Sequence, residues 1–464
     1  MTTESQPRRL GGLANTFSAF RVPAYRLVWL SQVCGTSGMQ MQMFARGLLA
    51  YELGGTAGAI GVVGLGQAIP QGLFSMFGGT IADRFERRRV MMVTQALTAV
   101  VAVLVSLLVR ADLMTIPLLF MAGVTQGTVM SFGGPARQAF VPEVVGEKEL
   151  MNALALNNAA MNLSRIGAPS LAGVLVGISW IDLGGLYEVQ AGLNIVSLIL
   201  LFMVPRVMNR ATETVAAVAG RHGGRRRPQG SVFSSWLDGV RYIRNSPILI
   251  TLLALGLVPT LLGQSYQQYL PVFAKNVFGD GVSRNAHALG LMGTVGGVGA
   301  LLGALAVASL SNYKRRTQLQ LISSLSFGLF LAMFAVQSSY AAALIALTAA
   351  GFMSSFSQSL NSTMVMSATD PEYYGRVMSV NMLTWSMQAF GTFGTGYVID
   401  FIGTLDKGRI DLIGVQLTFL GLGLIIAAFV VAVTVFNPRY RRLEQEDLQR
   451  LRQPAPVRVE VAAP

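Results

Sequence analysis

The stretch GGTIADRFERRRV, Gly78 to Val90, takes in the end of an uncharged run, Ala57 to Ala82, and then sets Asp83 and Glu86 among four arginines. A run of that length without charge can cross the hydrocarbon core of a bilayer as a helix, which takes about 20 residues. Charge gathered at its end then marks a membrane boundary, since arginine and lysine collect in the loops on one side of a membrane.

The whole chain has the same character. Of its 464 residues 52% are hydrophobic and only 12% charged, and the mean hydropathy is +0.53, whereas a soluble domain carries about a quarter of charged residues. Hydropathy predicts twelve spans, near Leu27 to Tyr51, Ala57 to Ala82, Val90 to Val109, Ile116 to Phe140, Leu150 to Ile178, Gly185 to Val204, Ile248 to Phe273, His287 to Leu310, Leu319 to Val336, Ala341 to Met366, Val377 to Ile402 and Leu412 to Phe436. Of the 35 Lys and Arg residues, 28 fall in the termini and one alternate set of loops and only 5 in the other set. The positive-inside rule therefore predicts that both termini are cytoplasmic in a multi-pass protein of the cell membrane. The N-terminus MTTESQPRRLGG lacks the apolar core and cleavage site of a signal peptide.

Six spans precede and six follow the polar segment RATETVAAVAGRHGGRRRPQGS, whose composition suits a flexible linker. The expected organisation is an N-terminal segment 1–26, a six-helix bundle 27–205, a linker 206–247, a second bundle 248–436 and a basic tail 437–464. A weak repeat supports two related halves. TIADRFERRRV aligns with VASLSNYKRRTQ, where Leu310 replaces Asp83, and VPEVVGEKELMNALALN echoes TDPEYYGRVMSVN. Secondary transporters follow this plan, with the substrate site between the repeats near the midplane.

In GTIADRFERR, residues Gly79, Asp83, Arg84, Arg87 and Arg88 resemble the GxxxDRxGRR loop signature of the major facilitator superfamily, at its expected place between spans two and three. The second glycine of that signature is Glu86 in this chain. FRVPAYRLVWLSQ, FARGLLAYELGG, GGPARQAFVPEVV, NALALNNAAMNLSRIGAPSLAG and YGRVMSVN are similar to the branch with siderophore (enterobactin), macrolide and tetracycline exporters. The resemblance implies an all-α integral membrane fold of two pseudo-symmetric six-helix bundles, and proton-coupled export of a small amphiphilic compound by alternating access. It also implies that Asp83 latches the halves together at the cytoplasmic mouth. Physically, small Gly79 permits close helix approach, and Asp83 can accept from arginine or from a facing helix N-terminus. The arginines can equally be orientation anchors.

Two arginines, Arg46 and Arg165, fall within predicted spans. A charge at depth costs about 2.5–3.5 kcal/mol even on the lenient insertion scale, so each should face a cavity or a partner, or snorkel. Gln42 lies one turn from Arg46, and Asn158, Asn162 and Arg165 form a stripe at i, i+4 and i+7. Gly167, Pro169 and Gly173 follow, in a pattern similar to the family's GPxxAG motif, and suit close helix packing. Gln67, Gln71, Gln126, Gln264, Gln268, Gln358, Asn361 and Gln388 complete the candidate pathway, each also explicable as an interhelical hydrogen bond. Methionines such as Met39, Met41 and Met43 suit an adaptable pocket or plain packing. Glu52, Asp83 and Asp400, the acids nearest the spans, sit toward span ends.

The net charge of +13 is spread in short clusters, not on one basic face, which argues against nucleic acid as a partner. One cysteine, Cys34, rules out an internal disulfide, and His222 and His287 fall in predicted loops on opposite sides, so no metal site is expected. No nucleophile–base pair points to a membrane enzyme and no GxxxxGK[ST] loop to ATP. A scaffold or sensor remains a distinct reading, although the tail RYRRLEQEDLQRLR better suits contact with anionic lipid. No cofactor is expected; the proton gradient is the expected driving force and the monomer the expected state. Asp83→Asn should cut transport without loss of expression, and normal transport by a well-expressed variant would refute its gate role.

Overall fold

In the computed structural model the described residues are 18–176, 182–205, 232–276, 282–310, 313, 315–370, 373–405, 410–437 and 440, and within these helices some side chains, including those of 75–84, fall outside the description. Pro23 starts the first helix, α1 (Pro23–Gly54), from an extended Val22, as proline does at a first helical position. Gly55, with φ 64°, ends it in the left-handed region, its N–H donating to Tyr51 O at 2.9 Å. Then come α2 (Ala57–Arg84), α3 (Arg87–Arg110), α4 (Ile116–Val176) and α5 (Leu183–Met203), the last capped by Asp182, which accepts from Gly185 N at 2.7 Å. The second half holds α6 (Val232–Arg244), α7 (Pro247–Val258), a π-helical turn (Pro259–Gly263), α8 (Tyr266–Asn276), α9 (Val282–Ser309), α10 (Arg316–Ala335), α11 (Tyr340–Ala368), α12 (Tyr374–Leu405) and α13 (Ile410–Phe436).

The predicted spans fall on these helices. Spans four and five are the two arms of α4, which bends at Gly146 (φ 71°), and span seven runs through α7, the π-helical turn and α8. Nine stretches of the described residues are long and apolar enough to cross a membrane. The predicted spans one, five and eleven are not among them; in span one, although α1 has 32 residues, Gln40, Gln42 and Arg46 lower the hydropathy. Several polar groups of α1 have partners on other helices. Tyr25 Oη donates to Ala153 O (2.8 Å) and Trp29 Nε1 to Leu156 O (2.9 Å), both on the second arm of α4, and Ser31 Oγ lies 2.8 Å from Ser197 Oγ on α5. Just before α1, Ser18 donates to Glu149, and that bond, followed by one from Asn152, holds the Glu149 carboxyl below its ordinary range.

The expected linker lies outside the described residues up to 231, but its last part is a helix and not an open coil. Helix α6 buries Ile243 and docks through Tyr242, whose hydroxyl donates to Asp370 Oδ2 (3.0 Å) and accepts from Asp370 N (3.2 Å), with its ring stacked on Tyr373 at 4.2 Å. An amphipathic segment with an apolar surface beside it is stabilised by packing where composition alone favours coil.

Helices α2 and α4 pack closely within the first half, as do α9 with α11 and α10 with α13 within the second; the halves meet through α2 against α12 and α4 against α9. Lipid offers helices no hydrophobic drive to associate, so close backbone approach carries the packing. The α9–α11 seam is of this kind: a Cβ on Gly351 would collide with Gly296 O. Gly351→Ala should therefore cost about 1–3 kcal/mol through overpacking. Gly394→Ala, where a Cβ meets nothing within 4 Å, should be close to neutral. Thermal unfolding of the purified protein checks both, and equal midpoints would refute the seam.

Candidate substrate pathway

A cavity of about 100 Å³ lies midway along the helices, where α1, α8, α9 and α11 converge. Its polar wall is Gln40, Tyr266, Gln267, Gln268, Ser354 and Ser355; its apolar wall includes Met43, Phe44, Met292 and Leu347. None of these residues carries a charge. The local fold explains the polar side. Pro259 has no N–H to continue an α-helical ladder, and the chain passes through a π-helical turn, a distortion common at functional sites, immediately before Gln264.

Gln264 Nε2 donates to Ser354 Oγ (2.6 Å), Gln358 Nε2 donates to the same oxygen (3.2 Å), and Gln267 Nε2 donates to Gln264 Oε1 (3.0 Å). Behind this cluster a void of about 10 Å³, lined in part by Thr260, Gln264, Gln358 and Asn361, has room for about one water. Asn361 Oδ1 is buried there with no partner among the described residues. The structure thus gathers Gln264, Gln268, Gln358 and Asn361 in one region of the second half. Gln388 is half-buried on α12. Gln40, Gln267, Ser354 and Ser355 were missed by the sequence reading; the signal was there in polar residues repeating within the same spans.

In the first half, Arg46 neither snorkels nor lines this cavity. It is 6% exposed, and its Nη1 donates to Gln67 Oε1, whose amide Nε2 lies 3.3 Å from Met130 Sδ. Among the described residues no carboxylate forms an ion pair with it, and Tyr187 is a neighbour. Gln42 is buried beside it on α1. Gln126 is buried too, with its Nε2 3.5 Å from Thr98 Oγ1 on α3, an interhelical contact. Gln71 is half-buried near Ser131, which approaches its carbonyl.

Of the loop signature, the side chains of Gly79, Asp83 and Arg84 lie outside the described residues. Arg87 forms an ion pair with Glu143 on α4 (2.6 Å), and Arg88 donates to Leu201 O (2.9 Å) and Phe202 O (2.6 Å), capping the C-terminal end of α5. Both arginines therefore tie elements of one half together. The side chains of Asn158, Asn162, Arg165, Pro169 and Gly173 also lie outside the described residues. Gly167 is exposed, and a Cβ on it would meet nothing within 4 Å, so the close packing expected there is not made.

A helical membrane bundle in two halves, with a neutral cavity between helices of both, follows the plan of membrane transporters for small molecules. The family model "Major Facilitator Superfamily" matches residues 28–392, and the chain belongs to that superfamily. It is 26% identical over 370 residues to the enterobactin exporter EntS of Salmonella choleraesuis (strain SC-B67), covering 76% of this chain and 80% of that protein. With EntS of Citrobacter koseri (strain ATCC BAA-895 / CDC 4225-83 / SGSC4696) it shares 25% over 450 residues, covering 94% and 95%. Among solved structures, the nucleoside transporter NupG superposes with a TM-score of 0.68 at 15% identity, covering 89% of this chain and 99% of that one. A bacterial homologue of the human lysosomal transporter Spinster, inward-facing and unoccupied, gives 0.67 at 14%, covering 94% and 99%. These last two share the fold.

Arg46→Ala leaves the Gln67 carbonyl buried without its donor, at a cost of about 1–3 kcal/mol. The expected result is a lower thermal midpoint together with reduced transport; an unchanged midpoint with altered substrate preference would put the guanidinium on the pathway instead.

Proposed function

We propose that this protein is a secondary exporter of a small amphiphilic organic compound, such as a siderophore, antibiotic or drug, working by alternating access on the proton gradient. The observation that carries this reading is the uncharged cavity. Amides and hydroxyls on one side offer hydrogen bonds in both directions, while Met43, Phe44 and Met292 supply a soft apolar wall that adapts to shape. Such a surface suits a ligand that is neutral or has its charge away from the wall. The export direction draws on the enterobactin exporters, whose lengths the chain matches almost end to end in the Citrobacter case. The protein would work as a monomer in the cell membrane, with both termini cytoplasmic and the basic loops against anionic lipid.

Ion-independent facilitation or uptake is the second reading. It is favoured by the positions of Glu52 and Asp400, which lie toward the helix ends and not beside the cavity, since proton relays ordinarily use carboxylates or histidines at depth. Acidified everted vesicles, with and without the protein, separate the two when a panel of siderophores, macrolides, tetracyclines and dyes is added. Compound-triggered collapse of the pH gradient is expected for the exporter. Labelled uptake into the vesicles without proton movement would overturn proton coupling, and absence of both would overturn the substrate class.

A further inference from the structure

At the end of the bundle away from Arg87–Arg89, the two halves are joined by a carboxylate set on a helix start. Asp400, near the end of α12, accepts from Ala57 N through Oδ1 at 2.9 Å and from Gly58 N through Oδ2 at 2.8 Å. These are the first amides of α2, which have no partner within their own helix. The helix dipole places positive potential at the same point. The next amide, Ala59 N, lies 3.3 Å from Thr56 Oγ1 of its own half. A Cβ on Gly58 would stand 2.6 Å from Asp400 Oδ2, so glycine leaves the space that the carboxylate fills. Beside it Tyr269 Oη donates to Thr392 O at 2.7 Å and lies 3.4 Å from Ala57 O.

We infer that Asp400 is the latch of a gate at this end: its bidentate bond to the α2 amides holds the two halves together here and must break for them to part on this side. The inference rests on the alternating-access reading above, but not on export, substrate or proton coupling. Opening at this end separates α2 from α12. Along that seam Gly61 meets the backbone of Phe393, a contact that lets go without leaving a polar group unpaired. Asp400 is different, because it makes charge-assisted bonds about twice as strong as neutral ones. The same groups face water once the gate opens, which keeps the latch reversible.

The test is a distance between spin labels placed on exposed Leu113, in the first half, and exposed Ser338, in the second, at this same end. Cys34, the chain's single cysteine, is replaced by serine, and the protein is reconstituted in lipid without substrate or gradient. Asp400→Ala should populate a longer distance, moving the closed-to-open ratio roughly tenfold or more. Ala57→Pro removes one of the two donors, leaves every charge in place, and occupies a first helical position that accepts proline; it should move the ratio the same way. The double variant should shift no further than the larger single one. Asp400→Asn, nearly isosteric, serves if the alanine variant does not fold. A parental distribution in the folded variants, or shifts that simply add, would overturn the latch.

Discussion

A bilayer offers polar side chains no water, so an amide, hydroxyl or guanidinium group along a span is stabilised by a partner on another helix, a carbonyl of its own helix or a wet cavity. That constraint organises both halves. In the first, Tyr25 and Trp29 anchor α1 to the second arm of α4, Ser31 meets Ser197 on α5, and Arg46 reaches Gln67 on α2. In the second, Ser354 accepts from Gln264 and Gln358, and Ser324 pairs with Ser357 at 2.7 Å. Apart from Gln358, which shares α11 with Ser354, each pair fixes a rotation of one helix against another that apolar contact alone would leave soft.

Contacts between the halves follow another rule. The polar pairs named above lie inside each half, whereas on the α2–α12 seam Gly61 packs on the backbone of Phe393 and Gly396 on that of Ala57 and Gly58, with Asp400 on the amides of Ala57 and Gly58 at one end. Rigid halves with a smooth seam between them are what a rocking motion requires. The neutral cavity is lined by other helices, α1 from the first half and α8, α9 and α11 from the second, so a relative motion of the halves would also reshape its walls.

Much of this was legible before any coordinates. The spans were readable because uncharged runs of that length have few other uses, and Gln264, Gln268, Gln358 and Asn361 were singled out because amides are conspicuous in apolar helices. Other readings needed the fold. Arg46 looked free to snorkel because depth along a helix is visible in sequence but direction toward a neighbour is not. Gly167 looked like a packing residue from its motif, yet its face meets open space. The basic triplet looked like a topology signal, while Arg87 and Arg88 also bond Glu143 and the end of α5, and neither partner is near in sequence. Helix α6 was hidden in linker-like composition because the surface it docks on comes from loop residues over a hundred positions away.

By itself the sequence determined that the chain spans a membrane repeatedly as helices, in two related halves, with a charged loop between spans two and three and scattered amides at depth. Hydrophobicity and length are local quantities, and a bilayer turns them directly into helices. Tertiary structure alone decided which amides share an oxygen, that Arg46 turns to Gln67 and not to the cavity, and that Asp400 meets the start of α2 across more than three hundred residues. Those outcomes depend on how each helix is rotated and how far it slides against its neighbours, and rotation is set by the sum of many weak contacts that no single stretch of sequence contains.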